Sequence, residues 1–234
     1  MIQTNEEVQA QALAYAKSHR TRIARERTDL DKFPSEEQPV SVFMAGSPGA
    51  GKTEASMELL SEFDSILRID PDDLRVEFPA YGGSNSWLFQ GAVALLVERI
   101  HDRALAQGQS FLLDGTLSNY AVAEKNIERS LKRGRLVQIL YVYQEPAFAW
   151  QFVRAREVHE GRYIPPEKFV DQYFLAREVV QKLKDKYDNQ IRVDVLLKNT
   201  DGTTQRSFAD VDNVDKLVPE RFNREQVMAI ANQN

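Results

Sequence analysis

The chain contains no cysteine. Disulfide scaffolds, cysteine-ligated zinc, iron–sulfur clusters and thiol nucleophiles are therefore excluded. Histidine is almost as scarce. His19, His101 and His159 stand too far apart in sequence to form a histidine metal motif. No apolar run approaches the roughly 20 residues that a membrane-spanning helix needs; Ala92–Val97 and Leu136–Val142 are among the longest. An excess of positive charge is missing too. The 30 Lys and Arg against 35 Asp and Glu leave a net charge of −5. That balance argues against coating a nucleic acid or an anionic membrane, and it leaves room for one small anionic ligand. The opening residues MIQTNEEVQA are polar and acidic, unlike a signal peptide. With no other address in the chain, the expected compartment is the cytoplasm.

What is present fits a soluble globular protein. Of 234 residues, 42% are hydrophobic and 28% charged, and a chain of this length suits one large domain or a domain with an appendage. Residues 1–38 read as a helical appendage and linker, and residues 39–234 as the main domain. Val8, Ala12, Tyr15, His19 and Ile23 recur at spacings of three and four, which is one helical stripe. Thr4 and Glu7 have the spacing of a capping box at its start. The helix either packs on the main domain or acts as a regulatory or partner-docking element.

From residue 39 the pattern alternates. Val40–Ala45, Ser65–Ile69, Ser110–Leu113, Leu136–Val142 and Ile191–Leu197 are short apolar runs suited to buried strands. Between them, Phe89, Val93, Leu96, Ile100 and Ala104 form one helical stripe, and Phe169, Tyr173, Ala176, Val180, Leu183 and Tyr187 form another. Pro146 and Pro166 suit first-turn helix positions. Strands alternating with helices imply an α/β fold with a five-stranded parallel sheet flanked by helices. After Leu197 a turn at Asp201-Gly202 and a short further strand are expected, and a last helix over Arg224–Ala231.

The strongest chemical signal is Gly46-Ser-Pro-Gly-Ala-Gly51-Lys52-Thr53, which matches G-x-x-x-x-G-K-[ST] in full. A strand-like run precedes it and a helical run follows. Glycines let the backbone turn its N–H groups inward on phosphate oxygens, and the helix N-terminus adds positive potential. Gly46, Ser47, Pro48, Gly49, Ala50, Gly51, Lys52, Thr53 and the adjoining Glu54 form the expected nucleotide-binding set. Lys52 would reach the β- and γ-phosphates, and the Thr53 hydroxyl would ligate Mg²⁺.

Two acidic strand ends bear on the γ-phosphate. Asp114 follows the apolar run Phe111–Leu113 and is the candidate for the metal's carboxylate; an Asp-Gly turn is the plainer reading. Asp70 and Asp72 follow the run ending at Ile69, where an open parallel sheet binds its ligands. A carboxylate there can accept the proton of an attacking hydroxyl, although Asp70 to Asp73 could also simply cap the next helical turn. Arg156 and Arg162 flank Gly161 between two helical segments and describe a mobile lid over a transferring phosphoryl group. Arg154 reads as a solvated helix charge.

Together GSPGAGKT, IDPDDLR, LLDGT and RAREVHEGRYIPPEKF, in that order, resemble the zeta toxin family of P-loop kinases from about Val40 to Val180. The resemblance implies a P-loop kinase domain to which the N-terminal helix is extra. It implies an ATP-dependent transfer to the 3′-hydroxyl of a UDP-N-acetyl-amino sugar, with ATP and Mg²⁺ as cofactors and an antitoxin as partner. The base it implies is Asp72, with Lys52, Arg156 and Arg162 completing the catalytic set. The implied substrate contacts are Asp72, Asp114, Thr116 and Glu98, the last sixteen residues before Asp114. Thr53 and Asp114 take the metal roles. Where many members have His after the lid glycines, this chain has one Gly and then Arg162. Two other functions remain open on the residues alone: a different P-loop kinase acting on polynucleotide 5′-hydroxyls or small metabolites, and a nucleotide-dependent switch without transfer. The N-terminal helix could also restrain the kinase in cis.

Overall fold

The structure is a computed structural model that describes residues 3–63, 65–199, 204–218 and 222–233. Six strands form one sheet in the order β2-β3-β1-β4-β5-β6. The strands are β1 (Val40–Ala45), β2 (Leu67–Ile69), β3 (Phe111–Leu113), β4 (Leu136–Tyr143), β5 (Arg192–Lys198) and β6 (Thr204–Phe208). The first five are mutually parallel, as the alternating pattern implies, and β6 adds an antiparallel edge beside β5. The Asp201-Gly202 turn expected between β5 and β6 lies outside the described residues. β1 is central because it is apolar along its length: Ser41 to Ala45 are all buried, as a strand covered on both faces must be.

The helices are α1 (Asn5–Arg27), α2 (Lys52–Ser61), α3 (Gln90–Ala106), α4 (Tyr120–Leu131), α5 (Pro146–Glu160), α6 (Pro166–Tyr187) and α7 (Arg224–Ala231). Their ends carry the expected local signals. Pro146 and Pro166 stand in the first turns of α5 and α6, where a missing N–H costs nothing. α5 stops at Gly161 in the left-handed region, φ 69°. The stripes of α3 and α6 face the core, with Phe89, Leu96, Phe169, Val180 and Leu183 almost fully buried. α4, for which no stripe was expected, buries Ala123 and Ile127.

α1 is capped as its sequence requires. The Glu7 N–H donates to Thr4 Oγ1 at 3.2 Å and the Thr4 N–H donates to Glu7 Oε2 at 2.8 Å. It lies on α3, and its buried face is made of Ala12, Ala16, Ile23 and Ala24. Small residues let two helices approach closely, so α1 joins the main hydrophobic cluster around Phe43, Leu96 and Phe111. The following turn is pinned as well. Thr28 accepts at Oγ1 from Arg103 Nε (3.0 Å) and at its carbonyl from Gln107 Nε2 (3.0 Å).

Ile23 is fully buried at this junction. Truncating a buried isoleucine removes its transfer energy and leaves a cavity, about 2–5 kcal/mol in all. Ile23→Ala is expected to lower the unfolding free energy measured in urea by that amount, through a lower midpoint at an unchanged slope; a loss below about 1 kcal/mol would mean that α1 is not part of the cooperative core.

Candidate active site

The loop after β1 holds Gly46, Gly49 and Gly51 at φ 138°, 73° and 84°. A Cβ at Gly46 would stand 2.3 Å from the Val142 carbonyl oxygen, and one at Gly49 2.0 Å from that of Ala149. Neither position admits a side chain. The Gly46 N–H donates to the Thr116 carbonyl at 3.2 Å, tying the loop to the chain after β3. Gly51 caps α2 without a side-chain acceptor, so the first amides of the helix are left for a ligand.

Lys52 Nζ folds back into this loop and donates to the carbonyls of Ser47 (2.6 Å) and Gly46 (3.1 Å). The residue is half-buried, and loss of water around the ammonium is the main reason its pKa falls to about 8. Asp114 and Asp72 oppose that shift, while Arg162 and Arg156 add to it. The expected residues are thus electrostatic neighbours.

The carboxylates are braced by a residue that pattern reading did not find. Arg68 on β2 donates to Asp70 at 2.5 Å, to Asp114 at 2.9 Å and to Asp73 at 3.1 Å. Asp70 also accepts the Asp72 N–H at 2.8 Å, which shapes the turn after β2. Burial, and then the nearby Asp114, push the Asp70 carboxyl up to about 6. Asp72 is held from both sides: one carboxylate oxygen meets Arg75 and the other meets Arg162, between α5 and α6. Arg75 was also unforeseen; its signal is the spacing of three from Asp72, which brings the two together in one turn.

Lys52, Asp70, Asp72, Arg75, Asp114 and Arg162 share a cleft of about 1040 Å³. Its walls include Pro48, Gly49, Gly51, Lys52, Thr53, Glu54, Asp72, Asp114, Thr116, Arg156 and Arg162 from the expected set, and Gln144, Phe152 and Lys198 from outside it. Gly46, Ser47 and Ala50 do not line the cleft. Arg156 is half-exposed beside Glu160 at 3.3 Å, and Arg154 pairs with Glu157 at 2.6 Å. Thr116 shares a 2.8 Å hydrogen bond with Ser118. Glu98 is not brought to the cleft. It is exposed on α3 and pairs with Lys125 at 3.1 Å. At about 100° per residue it stands roughly 200° from Leu96, on the side of α3 away from the buried stripe. Among the described residues none of 3–38 lines the cleft, so α1 does not cover the phosphate loop.

The donor set facing Lys52 fits a hard divalent cation. Thr53 and Asp114 offer only oxygen. Among the described residues no group of three or more His, Cys, Asp or Glu forms a metal cage of its own, and Mg²⁺ is ordinarily held by one or two carboxylates together with substrate phosphates. Among the same residues no helix is long and apolar enough to cross a membrane.

The sequence profile described as zeta toxin matches residues 23–208. Toxin PezT of Streptococcus pneumoniae serotype 4 (strain ATCC BAA-334 / TIGR4) is 25% identical over 124 residues, covering 50% of this chain and 49% of that protein. The match thus spans about half of that relative's length. Among solved structures, one from the PezAT chromosomal toxin–antitoxin system of S. pneumoniae superposes with a TM-score of 0.68 at 19% identity, covering 93% of both chains. A complex of AvrRxo1-ORF1 and AvrRxo1-ORF2 solved with ATP gives a TM-score of 0.59 at 16% identity, covering 86% of this chain and 65% of that one. At these identities the structures establish the shared fold.

The lowered Lys52 value has a measurable consequence. Without ligand Lys52 is mostly neutral above about pH 8, and a polyphosphate beside it favours the charged form. Nucleotide binding above that pH should therefore take up a proton, and affinity should fall as pH rises from about 8 towards the ordinary lysine value of about 10.4. Calorimetric titration with ATP near pH 9, in two buffers of different ionisation heat, is expected to show uptake close to one proton, lost in Lys52→Met. A heat of binding independent of buffer would contradict this.

Proposed function

The chain belongs to the zeta toxin family, and we propose that it is an ATP-dependent phosphotransferase whose acceptor is an alcohol. The finer reading is transfer of the γ-phosphoryl group to the 3′-hydroxyl of a UDP-N-acetyl-amino sugar, as family membership leads one to expect. The observation that carries the proposal is the meeting of three groups in one cleft: the phosphate-loop Lys52, the carboxylate of Asp72 and the lid guanidinium of Arg162.

Each group has work to do in such a transfer. The loop amides and Lys52 hold the β- and γ-phosphates and neutralise charge there. Asp72 accepts the proton of the acceptor hydroxyl as its oxygen bonds to the γ-phosphorus. The bond from that phosphorus to the bridging oxygen breaks, and ADP leaves. An acceptor hydroxyl donating to the Asp72 oxygen now held by Arg162 would displace the guanidinium, which is then free to turn towards the phosphoryl group. Arg75 keeps the other oxygen in place meanwhile. Mg²⁺ bound through Thr53 and Asp114 would supply further charge neutralisation. Arg162 on the α5–α6 elbow and Arg156 near the end of α5 would screen the phosphoryl group from water.

An antitoxin that masks this cleft is the partner we propose. The structure superposing over 93% of the chain comes from a toxin–antitoxin system, and the cleft lies uncovered by α1.

The test is incubation with ATP, Mg²⁺ and UDP-N-acetylglucosamine, followed by mass spectrometry of the sugar nucleotide. A product heavier by one phosphoryl group is expected. Asp72→Asn should cut its rate about 10²–10⁴-fold while leaving ATP binding in place. Absence of product with any UDP-sugar would refute the acceptor. Equal ATP turnover by wild type and Asp72→Asn would refute the base and favour a nucleotide-dependent switch.

A further inference from the structure

α5 turns two faces to two different surroundings. Its buried face carries Ala149, Trp150 and Val153, and Trp150 packs on Phe169 of α6 with ring centroids 5.0 Å apart. At about 100° per residue, Phe152, Arg156 and His159 fall within about 60° of one another on a second face. All three line the cleft. An arginine and a histidine suit a wet, charged cavity. A phenyl ring does not, yet Phe152 is 38% exposed there. Among the described residues it belongs to none of the three hydrophobic clusters, and no other ring stacks on it. A lone aromatic on an open surface needs no explanation. Phe152 is set instead in the wall of a concavity, where apolar side chains grip the flat parts of ligands.

The course of α5 says which part of a ligand the ring would meet. The Ala149 carbonyl abuts Gly49, so α5 begins against the phosphate loop. Arg156 stands one turn beyond Phe152, and its charge acts on the Lys52 ammonium. Past the end of the helix, Arg162 meets Asp72. Phe152 is therefore about 6 Å back along the helix from the arginine that shares the field of Lys52, on the side away from the carboxylates. Strand order agrees. β4, which leads into α5, flanks β1 on one side, and β3 and β2 lie on the other. A nucleoside triphosphate whose terminal phosphate lies beside Asp72 must send its nucleoside back towards the start of α5. This step rests on the phosphotransferase reading given above.

We infer that Phe152 is the stacking platform for the nucleobase of the phosphoryl donor. Every nucleobase has a π-face, so such a ring adds affinity without reading the identity of the base. It takes no part in the transferred group. Its contribution belongs to the nucleoside and is absent from a bare polyphosphate.

The experiment measures dissociation constants of ATP, inorganic tripolyphosphate and UDP-N-acetylglucosamine by calorimetry, with Mg²⁺, for wild type, Phe152→Ala and Phe152→Tyr. Thermal melting without ligand verifies that each variant folds. Phe152→Ala is expected to weaken ATP about fivefold to a hundredfold and to leave tripolyphosphate unchanged. Phe152→Tyr keeps the ring and is expected to bind ATP as wild type does. Equal loss for ATP and tripolyphosphate overturns the inference, because the substitution would then be acting on the phosphate loop. A loss confined to the sugar nucleotide also overturns it, since the ring would then lie under the acceptor's base. If wild type binds neither ATP nor tripolyphosphate, the phosphotransferase reading falls and this inference falls with it. Wild type that binds ATP no more tightly than Phe152→Ala removes the inference alone.

Discussion

Backbone meets backbone at Gly46 and Gly49, and the site depends on it. The carbonyls of Val142 and Ala149 occupy the space where side chains would otherwise begin. Because the loop can press against the end of β4 and the start of α5, Pro48, Gly49 and Gly51 line the cleft, and α2 starts at that same wall. The Gly46 N–H, bonded to the Thr116 carbonyl, fixes the loop to the far side of β1 as well. Lys52, Thr53 and Asp114 share one cleft as a consequence of these contacts. Any residue larger than glycine at either position would have to move β4 or α5.

Around that loop the chain tolerates charges that burial makes unfavourable. The Lys52 ammonium is pushed down to about 8 and the Asp70 carboxyl up to about 6, in both cases chiefly by loss of water. Arg68 makes the carboxylates bearable by serving three of them at once. Removing one partner of such a cluster would leave uncompensated buried charge, which costs far more than an exposed pair contributes. The Asp72–Arg162 pair does something different, since it joins the turn after β2 to the lid across 90 positions of sequence. A second close approach reinforces the join: a Cβ on Gly83 would stand 2.6 Å from the Glu160 carbonyl oxygen. The segment between α5 and α6 thus rests on the turn and loop that follow β2.

Much of this was legible in the sequence, and the parts that were share a cause. Caps, first-turn prolines, the Gly161 break and the phosphate loop are decided within a few residues, so Thr4, Pro146, Pro166 and Gly46 to Thr53 could be read directly. The parallel sheet followed from alternating periods. Arg68 and Arg75 were missed because their roles depend on which strand ends become neighbours, and strand order is not a local property. Short strands blurred as well: β2 has three residues, two fewer than its apolar run implied. α4 escaped because its buried face is little more than Ala123 and Ile127. Glu98 shows the limit of matching by position. A fixed offset from Asp114 selects the residue, while the helical period of α3 turns its side chain away from the cleft.

The N-terminal helix gains a physical role from contacts its own stripe could not reveal. Tyr15 meets Phe78 edge-on at 5.7 Å, Phe78 packs on Phe89 at 5.4 Å, and Phe89 meets Tyr81 at 5.7 Å. Arg27 pairs with Glu77 at 2.8 Å. These contacts fall on the segment directly after Asp72 and Arg75, and they lead through Tyr81 to the loop that touches the lid at Gly83. That segment has little regular structure of its own, only short 3-10 turns at Arg75–Glu77 and Ser86–Phe89. The base we propose, Asp72, would need a rigid support to hold its position. α1 supplies it from outside: seated on α3, it braces the segment that follows Asp72 without lining the cleft.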